Sequence, residues 1–299
     1  MTHRLINLVV LVLVTASSGF AAEPATRPAM VRVAAVQCSS DLGDVAANRK
    51  KLSALVEEAA GHGAKFVVLP EAAVTGYLSQ DLKTDWHLAG WPIDAAYQGK
   101  DPLPFAETVP GPSTEQFGAL AKKLGVYVTV PLVELVPPPA GSDTKPKFFN
   151  TVALMSPKGE LAAHYRKLHP WPVPEKSWAT AGDRGIQTCD TEYGRVGLAI
   201  CFDIHETVPM YKDKGLWALL YPIAWVDDEH PANWFWHELP SRVGKLGFYV
   251  VGANWSVDQP QTWRGYGFST IISPQGKVLA SATSLYGSEI VYADIPTAR

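Results

Sequence analysis

Short β-branched apolar runs recur along this chain, separated by helical patterns and by turns rich in glycine and proline, and no other feature restricts its fold as much. Val31 to Gln37 has the composition of a buried strand; Asp44 to Ala60 then carries apolar residues at helical spacing, with Gly61 to stop it. Lys65 to Leu69 is a second strand, ended by Pro70. Ser113 to Leu124 reads as a helix opened by the Ser113/Gln116 capping pair and closed at Gly125, and Val126 to Val130 as the next strand. Asn150 to Met155 and Glu160 to Arg166 flank a Ser-Pro-Lys-Gly turn, and Tyr266 to Ile272 and Lys277 to Ala280 flank Ser-Pro-Gln-Gly, so both pairs predict hairpins. Strands Arg195 to Ile200, Trp217 to Tyr221 and Phe248 to Gly252 lie between them. Alternating strands and helices with added hairpins imply a layered α/β domain with mixed sheets, since hairpins exclude an all-parallel arrangement. Pro137 to Lys147 reads as a surface loop, and with no repeat and no linker, residues 31 to 299 form a single predicted domain.

The 299 residues are 47% hydrophobic and 18% charged, enough apolar material for a large core. A formal charge of −3 without a long basic or acidic run argues against nucleic acid or an anionic membrane as partner and favours a small neutral ligand. The N-terminus has a weakly basic start at His3 and Arg4, an apolar run from Leu5 to Val14 and small residues ending at Ala21, the pattern of a cleavable signal peptide. Its apolar run is about half the length that spans a bilayer. The expectation is therefore a secreted or periplasmic protein, cut after Ala21 or Ala22, with a leader over 22–30 and no membrane attachment after cleavage. Three cysteines, Cys38, Cys189 and Cys201, leave at least one thiol unpaired in an oxidising compartment. Whether Cys38 and Cys189 pair is left open by sequence.

Glu71, Lys167 and Cys201 each sit just beyond an apolar strand, where open α/β sheets gather their active sites. Together they make a chemically sufficient set for acyl transfer. A thiol must lose its proton to attack a carbonyl; a carboxylate can take that proton, and an ammonium beside backbone N–H donors such as that of Phe202 can stabilise the oxyanion. Taken singly, a cysteine ending an apolar strand is more often a core residue. A lone Glu or Lys in such places is usually solvated surface.

The surrounding segments change that balance. Val67-Val68-Leu69-Pro70-Glu71 with Thr75-Gly76-Tyr77, Tyr165-Arg166-Lys167-Leu168-His169, and Gly197-Leu198-Ala199-Ile200-Cys201-Phe202-Asp203 resemble, in order, the three signature segments of the nitrilase superfamily, the carbon–nitrogen hydrolases. Asn150-Thr151, Pro209, Gly267-Phe268-Ser269 and Pro274-Gln275-Gly276 extend the resemblance. It implies a four-layer α-β-β-α sandwich, Glu71 as general base, Lys167 as oxyanion stabiliser, Cys201 as nucleophile, and a homodimer or larger homo-oligomer. Lys167 to Trp171 followed by Glu175 is similar to aliphatic amidases, which implies that Glu175 positions substrate or the attacking water. Cys201-Phe202-Asp203-Ile204 and Tyr221-Pro222-Ile223-Ala224-Trp225 are similar to the secreted pantetheinase and biotinidase branch.

The function expected is thiol-dependent hydrolysis of a small amide to an acid and ammonia or an amine, with no metal and no organic cofactor. Nitrile and N-carbamoyl hydrolysis use the same chemistry, and a secreted binding protein on this fold is a further reading. Glu175, Phe202 and Trp225 are the expected substrate-binding residues; of the ten tryptophans, Trp171, Trp178, Trp234 and Trp236 also flank the site. Asp203, His205, Asp227, Asp228, Glu229, His230 and His237 crowd one region, but their spacing fits no strong metal motif. Pocket shape is expected to depend on Gln80 to Thr108 and Trp225 to His237.

Overall fold

A computed structural model describes residues 28–41, 43–77, 101–172, 175, 178–225, 233–256 and 267–298. The expected signal peptide, most of the leader, and residues 80–100 and 226–232 of the two expected pocket loops lie outside them. No described helix is long and apolar enough to cross a membrane.

In the first sheet the strands run in the order β12 (Glu289–Pro296), β1 (Met30–Gln37), β2 (Phe66–Val68), β3 (Tyr127–Val136), β4 (Lys147–Met155) and β5 (Leu161–Arg166). The second runs β11 (Val278–Ser281), β10 (Thr270–Ile272), β9 (Tyr249–Ala253), β8 (Ala218–Pro222), β7 (Arg195–Leu198) and β6 (Gln187–Asp190). Each has a parallel centre, β1-β2-β3 and β7-β8-β9, flanked by antiparallel strands. Side-chain alternation assigns the faces. Val33 and Ala35 of β1, Val152 and Leu154 of β4, and Ala163 and Tyr165 of β5 pack with the second sheet in one core. Their neighbours Ala34, Val36 and Ala153 point the other way, against Leu52, Val56 and Ala59 of α1 (Val45–Gly61) and Phe117 and Ala121 of α2 (Pro112–Leu124). Ile204 of α3 (Asp203–Glu206), and Leu239 and Val243 of α4 (Leu239–Val243), pack on the second sheet. The result is the expected four-layer α-β-β-α sandwich.

Local departures from the sequence reading have physical causes. Helix α2 begins one residue earlier than expected and is not capped by Ser113 and Gln116: Gly111 is the N-cap, its N–H donates to Thr114 Oγ1 at 2.8 Å, and the Glu107 carboxylate accepts from the N–H and hydroxyl of Ser113. Strand β3 runs on past Val130, the end expected from sequence, and through Pro131. The short β2 has already ended there, so the missing proline N–H costs no ladder bond on that side, and Pro131 instead accepts from Val74 N at 3.0 Å. The predicted hairpins form, with Gly159 and Gly276 at φ of 83° and 75° closing their turns. The apolar pattern does not mark β6, an edge strand with half its residues exposed, or β12. No disulfide joins Cys38, which lies just beyond β1 in an isolated bridge to Trp255, and Cys189, which lies in the edge strand β6.

A buried charge cluster fixes the far edge of the first sheet. Glu134 of β3 accepts from Thr151 of β4 at 2.8 Å, and from Arg166 of β5 through two nitrogens at 2.5 and 3.0 Å; His164 Nε2 lies at 2.8 Å. Burial alone would raise the Glu134 carboxyl, but the bonds from His164 and Arg166 outweigh it and hold it at about 2 against an ordinary 4.5. Its stabilisation is thus complete above pH 4.5 and is lost as pH falls from there toward 2, amounting to about 3 kcal/mol. Glu134→Gln should lower the unfolding free energy at pH 7 by about 3 kcal/mol and flatten the acid limb of stability between those values, as measured by urea unfolding across pH.

Candidate active site

The site lies where strand ends from both sheets meet. Glu71 follows β2, Lys167 follows β5, Cys201 follows β7 and Trp225 follows β8. All four strands point the same way within their sheets, because β5 is antiparallel to β4 and β4 to β3. Strand period decides which side chains turn inward: Arg166 joins the Glu134 cluster on the helix-covered face, so Lys167, next in line, faces the interior between the sheets. The sheets are tied together here by Glu71 N donating to Ile223 O, Trp255 Nε1 donating to Glu71 O at 2.7 Å, and Ser256 N donating to Cys38 O.

Glu71, Lys167 and Glu175 form one cluster with side chains fully buried. Lys167 Nζ donates to Glu71 Oε1 at 2.7 Å and pairs with Glu175 Oε2 at 2.8 Å. Asn150 Nδ2 bridges the two carboxylates, donating to Glu71 Oε1 at 2.7 Å and to Glu175 Oε1. Glu175 also accepts from the backbone N–H of Trp171 and from the Tyr77 hydroxyl. It is therefore part of the buried site and not an exposed loop carboxylate. Asn150 and Tyr77 belong to the segments quoted above, but their roles depend on contacts across strands; the one local sign is that Asn150 stands opposite Lys167, whose N–H donates to Asn150 O at 2.8 Å.

Two carboxylates around a single ammonium leave a buried excess of one negative charge. Burial would discharge Lys167, but Glu175 and Glu71 more than offset it and keep the ammonium protonated. Burial pushes Glu71 up to about 7, against the pull of Lys167 and with the push of Glu175. Glu71 Oε2 is buried and has no hydrogen-bond partner among the described residues. One oxygen of this carboxylate is anchored and the other is left to take a proton.

Cys201 is 8% exposed and sits at φ of 42°, an unusual backbone for a non-glycine residue and the mark of a sharp strand-to-helix turn. Its N–H donates to Pro222 O at 3.0 Å, its carbonyl accepts from the Tyr221 hydroxyl, and the N–H of Ala224 bonds its sulfur. Burial first, and the Glu71 carboxylate second, push the thiol well above its ordinary range, so it rests protonated and needs a base at the moment of attack. Asp203 holds the turn from within: one oxygen accepts from Tyr165 OH at 2.7 Å and Ile200 N at 2.9 Å, the other from Thr207 Oγ1 at 2.8 Å and His169 N at 3.3 Å. This role goes unassigned in the sequence reading, although the position two residues after Cys201 is a local signal for it. Asp203 is committed to these bonds, and no group of three or more metal-binding side chains comes together among the described residues; 227–230 lie outside them.

A cavity of about 100 Å³ opens beside Cys201, lined by Trp171, Phe202, His205, Ala224 and Trp225. Phe202 and Trp225, the two aromatic residues expected at the site, both line it. Trp225 is fixed by its N–H donating to Asn254 Oδ1 at 3.0 Å and by stacking on Trp234 at 3.8 Å. Trp178 is not at the cavity; it packs with Val133, and Trp236 is half exposed.

This fold and site have relatives. The carbon–nitrogen hydrolase family model matches residues 32–299, and the chain belongs to that family. Omega-amidase NIT2 of Homo sapiens is 32% identical over 262 residues, 83% of this chain and 82% of that protein. Omega-amidase NIT2-B of Xenopus laevis is 30% identical over 260 residues, with the same coverage of each. Among solved structures, Saccharomyces cerevisiae Nit3, a member of branch 10 of the nitrilase superfamily, matches with a TM-score of 0.69 at 27% identity, covering 89% of this chain and 90% of that one. An amidase from Nesterenkonia sp. shares the fold, with a TM-score of 0.68 at 19% identity and coverage of 89% and 90%.

Asp203→Asn turns one of two acceptor oxygens into a donor facing donors. The expected result is a loss of about 3 kcal/mol in unfolding free energy together with slower alkylation of Cys201 by iodoacetamide in the folded protein. Unfolding titrations and timed mass spectrometry measure the two effects.

Proposed function

We propose that this carbon–nitrogen hydrolase cleaves small amides by way of a thioester on Cys201. The observation that carries the reading is the Glu71 carboxylate, anchored at Oε1 by a buried ammonium, with Oε2 unpartnered among the described residues, and the strongest charged influence on a protonated thiol. The Cys201 sulfur adds to the amide carbon as its proton passes to Glu71. The Lys167 ammonium and the N–H of Phe202 stabilise the oxyanion that develops. Collapse breaks the carbon–nitrogen bond, and Glu71 returns the proton to the departing ammonia or amine. Water then attacks the thioester carbon, giving its proton to Glu71; the acid is released and the thiol is re-formed. Glu175 keeps Lys167 in place.

Relatives that bear the name omega-amidase support amide hydrolysis over nitrile or carbamoyl hydrolysis. A purely binding role is disfavoured by cost. Burying an ammonium with two carboxylates carries a desolvation penalty of several kcal/mol per ion, and a simple binding site has no use for it. The proposal includes a secreted or periplasmic enzyme acting as a homodimer or larger homo-oligomer, supported by the Leu5 to Val14 run and by the family resemblance.

Cys201→Ala should reduce kcat by about 10⁴-fold or more while the protein stays folded. Lys167→Met should reduce kcat by about 10²- to 10³-fold, with the loss in kcat and not in KM. Hydrolysis by Cys201→Ala at the unsubstituted rate, in an ammonia-release assay, would overturn the mechanism. Because Glu71 must be ionised to accept the thiol proton, kcat/KM should rise with pH through about 7. Glu71→Gln should abolish that limb along with most activity.

A further inference from the structure

We propose that Asn150 is a positioning residue of the reaction, one that directs a proton entering the buried charge cluster to Glu71 and keeps it off Glu175. The inference rests on the reading of Glu71 as the base for Cys201, and it concerns how that base is made.

Strand alternation brings Asn150 to the cluster. In the β4–β5 ladder Thr151 stands opposite Arg166, and both serve the Glu134 cluster. Asn150 stands opposite Lys167, whose N–H it accepts at 2.8 Å, and turns with it to the other face, into the interior between the sheets. Asn150 is 1% exposed, and its Nδ2 donates to both carboxylates, to Glu71 Oε1 at 2.7 Å and to Glu175 Oε1. The amide can face only this way, since the reverse orientation would set its oxygen against two anions. Oδ1 is left buried with no hydrogen-bond partner among the described residues, a cost in stability that this position carries.

With Lys167, Asn150 closes a ring in which each carboxylate receives one bond from the ammonium and one from the amide. The ring is not symmetric. On Glu71 both bonds arrive at Oε1, whereas Glu175 receives them on separate oxygens and is bonded further by Trp171 N and the Tyr77 hydroxyl. Donors stabilise the ionised form of a carboxyl. Glu175 is therefore the lasting anion, and a proton goes to Glu71, on the oxygen that no described group bonds.

Residue type matters as much as place. An amide supplies two donors without adding a charge. A second cation here would cancel the excess negative charge and leave Glu71 too weak a base for a thiol; a carboxyl would add to the excess; a hydroxyl has one donor for two partners. With asparagine in place, burial above all raises the Glu71 carboxyl to about 7, with Lys167 pulling it down, Glu175 pushing it up and the Asn150 bond pulling it down. The other titratable groups that act on it are Tyr77, Cys201 and Tyr221, and burial keeps all three protonated at neutral pH.

The test is the pH profile of Asn150→Ala and Asn150→Asp. It is read as kcat/KM for propionamide and, without substrate, as the rate of Cys201 alkylation by iodoacetamide. Removing the donor should move the acidic limb of both profiles upward from about 7 by about one unit, a tenfold loss near neutrality that is regained about two units higher, with KM changed less than about twofold. Asn150→Asp has the same size but puts a third carboxyl in the cluster, and should move the limb at least as far. Where neither variant folds, the side-chain amide NMR signals of Asn150 in the unsubstituted protein decide: they are expected to shift with pH in step with the alkylation rate. A limb that stays in place in the variants, whether or not the rate falls uniformly, or amide signals flat through the limb, overturns the inference and leaves Glu71 as the base. Absence of the limb from the unsubstituted enzyme overturns both.

Discussion

A buried ammonium held between two carboxylates is the interaction on which the site's chemistry depends. Lys167 could not remain charged at its depth without Glu71 and Glu175, and the two carboxylates could not both stay ionised there without Lys167. Because the charges do not cancel, the excess falls on the group best able to take up a proton. That group is Glu71, which has one oxygen bonded to Lys167 and Asn150 and the other without a partner among the described residues. The same arrangement sets a carboxylate that titrates near neutrality beside a permanent cation, the pair that the proposed mechanism uses as base and oxyanion stabiliser.

The sandwich makes this arrangement possible by bringing strand ends from separate sheets to one place. Glu71 and Lys167 come from the first sheet and Cys201 from the second, and the bonds that hold them in register cross between the sheets: Trp255 to the Glu71 carbonyl, and Tyr165 beneath Lys167 to Asp203 beneath Cys201. Strand alternation then divides neighbouring residues between tasks. Arg166 and Lys167 are adjacent cations, yet one stabilises the sheet edge through Glu134 and Asp183 while the other faces the reaction centre. A slip of one residue in the β4–β5 register would exchange them.

Much of the fold was legible because its elements are locally encoded. Apolar runs marked the strands that become fully buried, and Ser-Pro-x-Gly marked both hairpin turns, because φ above zero at the fourth position calls for glycine. What the pattern missed or misplaced obeys non-local rules. β6 is half exposed at a sheet edge, Pro131 is tolerated only because β2 is short, and the α2 N-terminus is capped by Glu107, which precedes the helix. The three reactive residues were visible through their flanking segments, while Asn150, Tyr77 and Asp203 were not visible as site residues, since their partners are distant in sequence.

The sequence by itself determined the layered α/β class and singled out Glu71, Lys167 and Cys201 as the candidate set, because residue type and strand pattern are local properties of the chain. Only the tertiary structure decided that Glu175 is buried with Lys167, that the Cys201 thiol rests protonated, and that Trp171, Phe202, His205, Ala224 and Trp225 come together beside it. Those properties come from solvent exclusion and from charges placed together by separate strands. Neither exists until the two sheets have closed on each other.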